Sequence, residues 1–313
     1  MAELDIRAKE LGIDLSTTFA GVTFANPIMT ASGTFSARES GAFYDISELG
    51  AAVTKGVSDV PWLGNDTPRI AETYGGMLNS VGLQNPGVEV YAAEELPYLA
   101  QFDTKVITNV AGHSIEEYVN VIEALNDHPG ISMFEVNISC PNVSQGGITF
   151  GTDPEMAAEV TRAVKAASKK PVIIKLTPNV TDIVAIAKAV EGAGADAVSL
   201  INTLLGMHID VKRRKATLAR KVGGFSGPAI KPVALRMVWQ VAQAVDIPVI
   251  GIGGITTGTD VAEFIAAGAS AVGIGTAALS DPLAMVRIKQ EFIEFMDKND
   301  FRSLHELRHA FNI

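Results

Sequence analysis

Eight short apolar runs, each followed by a longer amphipathic stretch, constrain this chain more than any other feature of its sequence. The runs are Ile28–Ala31, Ala51–Thr54, Val106–Thr108, Phe134–Ile138, Val172–Leu176, Ala197–Ile201, Val249–Ile252 and Ala271–Ile274. They are near-continuously apolar, as strands of a parallel sheet covered on both faces must be. Helical stretches separate them at 39–49, 87–98, 114–126, 154–168, 181–192, 230–244, 258–267 and 281–296. Several of these open on capping residues, such as Ser114 with Glu117, Asp153-Pro154 and Thr181-Asp182, which satisfy the free N–H groups of a first turn. Eight strand–helix units in 313 residues predict an α/β fold, a (β/α)8 TIM barrel. The alternation over residues 16–26, with Ala20-Gly21 inside it, predicts a small N-terminal hairpin. Two βα loops are long, 57 to 86 and 203 to 229, and loops of that length are functional or ordered by something else. No break in composition divides residues 1–313, which read as one domain. An open doubly wound sheet is disfavoured, because no Gly-x-Gly-x-x-Gly follows the first strand.

Composition narrows the function. Apolar residues make up 47% of the chain and charged residues 19%, enough for a large core. The net charge of −10 argues against nucleic-acid binding. The basic run Lys212-Arg213-Arg214-Lys215 reads as a solvated loop face. A single cysteine excludes an intrachain disulfide and a four-cysteine cluster built from this chain alone. It fits a reducing cytosol, so a cytoplasmic location is expected. No signal peptide or membrane-length apolar run is visible, and the five scattered histidines form no metal site.

In a barrel, chemistry gathers where strands end, because the βα loops converge there. The predicted rim carries Ser32 and Gly33, Lys55 and Gly56, Asn109, Asn137, Lys175, Asn202 with Thr203, Gly253-Gly254, and Gly275-Thr276. Lys55 and Lys175 close apolar strands, and a buried ammonium is costly unless paired. With no carboxylate expected at neighbouring strand ends, an anionic ligand is the natural counter-charge. The alternative is that each lysine snorkels to water or pairs with a distant Asp or Glu. Gly253-Gly254 and Gly275-Thr276 follow strands seven and eight, the usual phosphate position in barrels, where glycine lets backbone N–H groups approach an anion. The lone thiol, Cys140, lies just past a strand end between Asn137 and Asn142. A free cysteine is commonly a small buried hydrophobe; this one sits among the rim residues instead.

At these residues the sequence resembles a known family. Asn137-Ile138-Ser139-Cys140-Pro141-Asn142, Asn79-Ser80-Val81-Gly82-Leu83-Gln84-Asn85-Pro86-Gly87 and Ser226-Gly227-Pro228-Ala229-Ile230-Lys231-Pro232 resemble dihydroorotate dehydrogenases. Ile250-Gly251-Ile252-Gly253-Gly254-Ile255 and Ala271-Val272-Gly273-Ile274-Gly275-Thr276 continue the pattern in order, over about residues 19 to 285. The resemblance implies an FMN-containing barrel that oxidises dihydroorotate to orotate in pyrimidine biosynthesis. It implies one FMN per chain, held by Ser32, Lys55, Gly56, Asn109, Asn137, Lys175, Ile201, Gly227, Gly253, Gly254, Gly275 and Thr276. Substrate contacts are implied for Lys55, Asn79, Ser80, Val81, Gly82, Leu83, Asn137, Asn142, Asn202 and Thr203, with Cys140 as the catalytic base. The loop from Cys140 to about Asp153, with Gly146-Gly147 as hinges, is implied to close over the substrate.

Cysteine at the base position and the lack of an apolar extension resemble class 1 of the family. Leu63-Gly64-Asn65-Asp66-Thr67-Pro68-Arg69 followed by Gly75-Gly76-Met77-Leu78 resembles the class 1B catalytic subunit. Arg220 and Phe225, in the 203–229 loop, fit that pattern least well. Class 1B implies a partner subunit carrying FAD and a 2Fe–2S cluster, electrons passed to NAD, and a homodimer of this chain within a heterotetramer. Alternatives are the fumarate-using class 1A, a related FMN barrel acting on uracil or thymine, a Schiff-base aldolase with Lys175 as nucleophile, and a barrel kept only as a scaffold.

Overall fold

A computed structural model describes residues 2–139 and 150–313. The strands, in chain order, are β1 (Thr17–Phe19), β2 (Val22–Phe24), β3 (Ile28–Thr30), β4 (Ala51–Val53), β5 (Ile70–Thr73), β6 (Gly76–Asn79), β7 (Lys105–Val110), β8 (Met133–Asn137), β9 (Val172–Lys175), β10 (Ala197–Leu200), β11 (Leu204–Met207), β12 (Ile209–Asp210), β13 (Lys215–Ala216), β14 (Val222–Ser226), β15 (Val249–Ile252) and β16 (Ala271–Ile274). The eight runs expected to be strands are β3, β4, β7, β8, β9, β10, β15 and β16, and in that order they close into one parallel barrel. Every residue of β9, β10, β15 and β16 is buried, which is why none of them shows polar alternation.

The outer helices pack by one face. Ile115–Leu125 buries Tyr118, Val121, Ile122 and Leu125, an i, i+3, i+4, i+7 stripe. Its N-cap, Ser114, accepts from the Glu117 N–H at 3.2 Å. Asp153 and Asp182 cap Pro154–Ala167 and Ile183–Gly192 in the same way. The 39–49 expectation fails, since that stretch is a short helix, Ala37–Ser40, and a separate 3-10 turn, Ile46–Glu48. Gly41 ends the helix, and a Cβ there would lie 2.5 Å from the Tyr98 hydroxyl and 3.1 Å from the Ala37 carbonyl. A helix at Glu3–Glu10 was not expected from the mixed charge of the N-terminus.

The two ends of the barrel differ. The β1–β2 hairpin closes the end where the strands begin, with Phe19 and Phe24 stacked at 4.6 Å. Both rings pack in one cluster with Met29, Ile107, Met133 and Ile173. At the other end the two long connections order each other, forming the antiparallel sheet β11-β14-β6-β5. Ala71, Leu78 and Leu218 give this sheet a small core of its own, with Phe225 packed against it. Arg220 donates to the Asn65 side chain at 3.1 Å. Phe225 thus packs the sheet, and Arg220 ties the two long connections together. The basic run from Lys212 forms the exposed end of the β12–β13 hairpin.

Candidate active site

The site begins with strand register. Across the barrel wall Asn109 of β7 lies opposite Glu135 of β8, and Asn137 of β8 lies opposite Lys175 of β9. Lys175 in turn lies opposite Ser199 of β10. Four consecutive strands therefore bring Asn109, Glu135, Asn137, Lys175 and Ser199 to one side of the rim, all of them buried.

Glu135 corrects the expectation that no carboxylate lies near the strand-end lysines. Its Oε1 accepts from Ser199 Oγ at 2.7 Å, and its Oε2 accepts from Asn109 Nδ2 at 2.6 Å. Lys175 Nζ reaches the same Oε2 at 3.5 Å and donates to Ser32 Oγ at 3.1 Å. Lys175 is thus paired, but it shares its carboxylate with two neutral donors. Lys55 lies just beyond β4, partly buried. Burial, then the charges of Lys175 and Arg69, push its amine below the ordinary lysine value. Lys175 pairs with Glu135 while Lys55 lies in the field of Lys175 and Arg69, so positive charge gathers at this end of the barrel.

Asparagines at this end of the barrel add directed polar groups. Asn137 Oδ1 accepts from Ser139 N and from Asn202 Nδ2, both at 3.2 Å. Asn202 Oδ1 accepts from Thr203 N at 2.8 Å, so strands β8 and β10 hold their asparagines as one unit. Asn79 ends β6 opposite Gly224, in the sheet over the rim. After it the chain turns through Gly82 and Leu83, at φ of 74° and 53°. Asn85 fixes the turn: its Oδ1 accepts from Ser58 N at 3.1 Å and Gly87 N at 2.9 Å, and its Nδ2 donates to the Leu83 carbonyl at 2.8 Å. Val81 lies in this turn as well, and its carbonyl accepts from Asn65 N at 3.0 Å. Two polar atoms are buried without a hydrogen-bond partner among the described residues of this region, Ser80 Oγ and Asn109 Oδ1. A buried acceptor left unmade costs about 1–3 kcal/mol, so each marks a place for a ligand group or a water.

The glycine positions gather on the other side of the rim. Gly227, Gly253 and Gly254 have φ of 110°, 132° and 78°, conformations that other residues rarely adopt. A Cβ at Gly254 would lie 2.7 Å from the Lys231 backbone nitrogen, at the start of the helix Lys231–Ala242. Thr276 Oγ1 donates to Ser226 Oγ at 2.8 Å, tying the residue after Gly275 to the residue before Gly227. Lys231 is not free to meet an anion there, since it pairs with Asp260 at 2.7 Å and Glu263 at 2.8 Å. Ile201 is buried at the end of β10, against the Cβ position of Gly253. Gly56 is buried beside Asn109, where a Cβ would sit 3.0 Å from its Oδ1.

Cys140, Asn142 and the Gly146-Gly147 hinge lie outside the described residues. The chain that enters this stretch is held by Ser139, which donates to the Lys175 carbonyl at 3.2 Å. The chain that leaves it is held by Phe150, buried against the Tyr118 ring at 6.2 Å. Glu135, Ser199 and Asn85 are the polar residues that site assignment from sequence missed. The signal for the first was available, a single charge inside an otherwise apolar strand.

No group of three or more metal-ligating side chains occurs among the described residues. No described helix is long and apolar enough to cross a membrane.

Comparison with known proteins places this geometry. The family model of dihydroorotate dehydrogenase matches residues 14–296. The chain is 57% identical over 297 residues to the dihydroorotate dehydrogenase B (NAD(+)) catalytic subunit of Alkaliphilus metalliredigens (strain QYMF), covering 95% of this chain and 98% of that one. It is 54% identical over 295 residues to the protein of the same name from Geobacter sp. (strain M21), covering 94% and 97%. The crystal structure of DHODH in complex with ferulenol from Eimeria tenella superposes with a TM-score of 0.78 at 20% identity, covering 94% of this chain and 87% of that one. That last likeness supports the barrel alone. Motifs, family model and relatives agree that the chain belongs to the dihydroorotate dehydrogenase family.

Proposed function

We propose that this protein is the catalytic subunit of an NAD-linked dihydroorotate dehydrogenase, oxidising dihydroorotate to orotate in pyrimidine biosynthesis. The observation that carries the reading is the positive charge gathered at the rim, where Lys175 pairs with Glu135 at 3.5 Å and Lys55 lies in the field of Lys175 and Arg69. Dihydroorotate is a carboxylate with a ring of amide donors and acceptors. A cation and a set of asparagines, each both donor and acceptor, suit it. Uracil and thymine lack the carboxylate, so the same charge disfavours the dihydropyrimidine alternative.

The residues present fit FMN. The unpartnered Asn109 Oδ1 offers an acceptor to a ring N–H. Gly56 lies beside that oxygen, where a Cβ would sit 3.0 Å away; Gly253, Gly254 and Gly275 would offer backbone N–H groups to the phosphate, and Gly227, Thr276 and Ile201 would complete the holding set with Ser32, Lys55, Asn137 and Lys175. Bound FMN would supply a two-electron acceptor for the hydride that leaves C6 of the substrate. Cys140 would take the C5 proton as general base, so that a C5–C6 double bond forms. General-base action needs the thiolate, whose fraction grows with pH, so turnover should rise with pH. Asn79, Asn137, Asn142, Asn202 and Thr203, with the backbone of Ser80 to Leu83, would hold the ring and its carboxylate.

The names of the relatives support an electron exit to NAD through a second subunit rather than to fumarate. The lone cysteine agrees, because a 2Fe–2S centre takes four protein ligands. FAD and that cluster would therefore reside in the partner, around a homodimer of this chain. The test is purification of the chain alone and with that subunit. The chain alone should be yellow, release FMN on denaturation and pass electrons from dihydroorotate to a dye but not to NAD. A colourless chain, or one that reduces NAD unaided, would contradict the reading.

A further inference from the structure

We propose that Glu135 is a positioning residue that fixes which face Asn109 shows the bound ring and how much charge Lys175 offers it, and thereby sets the reduction potential of the flavin. The inference rests on the flavin reading above and goes beyond it.

Barrel closure does not need Glu135. Strand pairing across β7, β8, β9 and β10 runs through backbone groups, and the strand neighbours of Glu135 in register are Asn109 and Ile173. Its side chain is 2% exposed in a strand where every other residue is buried too. A buried ion pair is a weak source of stability, and an apolar residue of similar volume serves packing as well or better. What the carboxylate does instead is accept. All its close partners, Asn109, Ser199 and Lys175, are donors on the rim.

Two consequences follow from that chemistry. An ionised carboxylate has no proton to donate, so Asn109 must turn its NH2 toward Glu135 and its carbonyl away. That carbonyl oxygen is the buried atom left without a partner. Glu135 thus dictates that Asn109 acts as an acceptor, selecting a ring that presents an N–H there. The second consequence is electrostatic. Lys175 lies 3.5 Å from Oε2, farther than either neutral donor lies from the carboxylate. The carboxylate therefore balances the lysine only in part, and the remaining charge acts on the ring. Removing the carboxylate's charge would leave Lys175 a full cation and favour the electron-rich reduced flavin.

The test is the flavin reduction potential, measured by anaerobic dye equilibration on FMN-loaded protein. Glu135→Gln keeps the size of the side chain and removes its charge. Its potential should become more positive by at least about a tenfold change in the redox equilibrium constant, or about 30 mV for a two-electron couple. Ser199→Ala removes one neutral donor from the same carboxylate and should move the potential the other way. An FMN-loaded Glu135→Gln protein with the wild-type potential would overturn the inference, as would both variants shifting in the same direction. Should Glu135→Gln fail to fold, Ser199→Ala decides alone, and an unchanged or more positive potential overturns the inference. A wild-type chain that binds no FMN overturns the flavin reading first and this inference with it, so the two failures are distinct.

Discussion

Lys289 and Lys175 are both buried ammonium groups in one barrel, with opposite surroundings. Lys289, on the helix Ala284–Lys298, is 1% exposed and lies 2.8 Å from Asp5 and 2.8 Å from Glu48. It also donates to the Glu48 carbonyl at 2.7 Å, and Asp5 accepts from Asn26 at 3.2 Å. One cation meets two carboxylates, and the cluster joins the N-terminal helix to the barrel wall. At the rim the balance is reversed: Lys175 meets one carboxylate at 3.5 Å, and Lys55 lies in the field of Lys175 and Arg69. Burial alone therefore does not mark a functional lysine. The charge left over after its partners are counted does.

The comparison can be broken from either end. The largest effect is expected from Cys140→Ala, which should keep FMN and the wild-type melting temperature while turnover falls about 10²–10⁴-fold; stopped-flow reduction by dihydroorotate reads it directly. A near-normal rate would remove Cys140 from the base role. Lys289→Met should act in the opposite sense. It strands two buried carboxylates, so chemical denaturation should show a loss of about 3–5 kcal/mol, while turnover per folded molecule stays close to normal. Lys55→Met should weaken orotate binding by about 10–100-fold, the worth of a hydrogen bond to a charged group. The ligand-free protein should gain rather than lose stability, because the substitution removes a desolvated cation facing two others. Calorimetric binding and thermal melting of the same sample check both halves.

A smaller effect concerns pH. In the ligand-free chain the Lys55 amine titrates below its ordinary 10.5, because of burial first and then Lys175 and Arg69. Between the lowered value and 10.5 the unfolded chain holds a proton that the folded chain has released. Stability contributed by this group therefore rises with pH across that window. Affinity for an anionic ligand has the opposite slope, since the protonated amine is the binding form. Orotate affinity should fall as pH climbs through that window, and Lys55→Met should flatten the dependence.

The barrel was legible in the sequence because strands buried on both faces read as unbroken apolar runs. The rim followed from where those runs end, which located Lys55, Lys175, Asn137 and the glycine pairs. The 39–49 stretch misled because amphipathic spacing there spans Gly41, where the observed helix stops. Glu135 was missed for a different reason. Its partners Asn109, Lys175 and Ser199 are 26, 40 and 64 residues away, and no local pattern shows that four strands bring them together. The mutual ordering of the two long loops was hidden in the same way. Each reads as a loop by itself, and only pairing of β6 with β14 makes a sheet of them.

The most direct test of the rim's positive charge is anaerobic addition of dihydroorotate, and separately dihydrouracil, to the purified yellow protein. The two compounds share the reacting carbons and differ in the carboxylate. Dihydroorotate should bleach the flavin absorbance at once, and dihydrouracil should leave it unchanged. Bleaching by dihydrouracil with no response to dihydroorotate would contradict an anion-selective site built on Lys55 and Lys175.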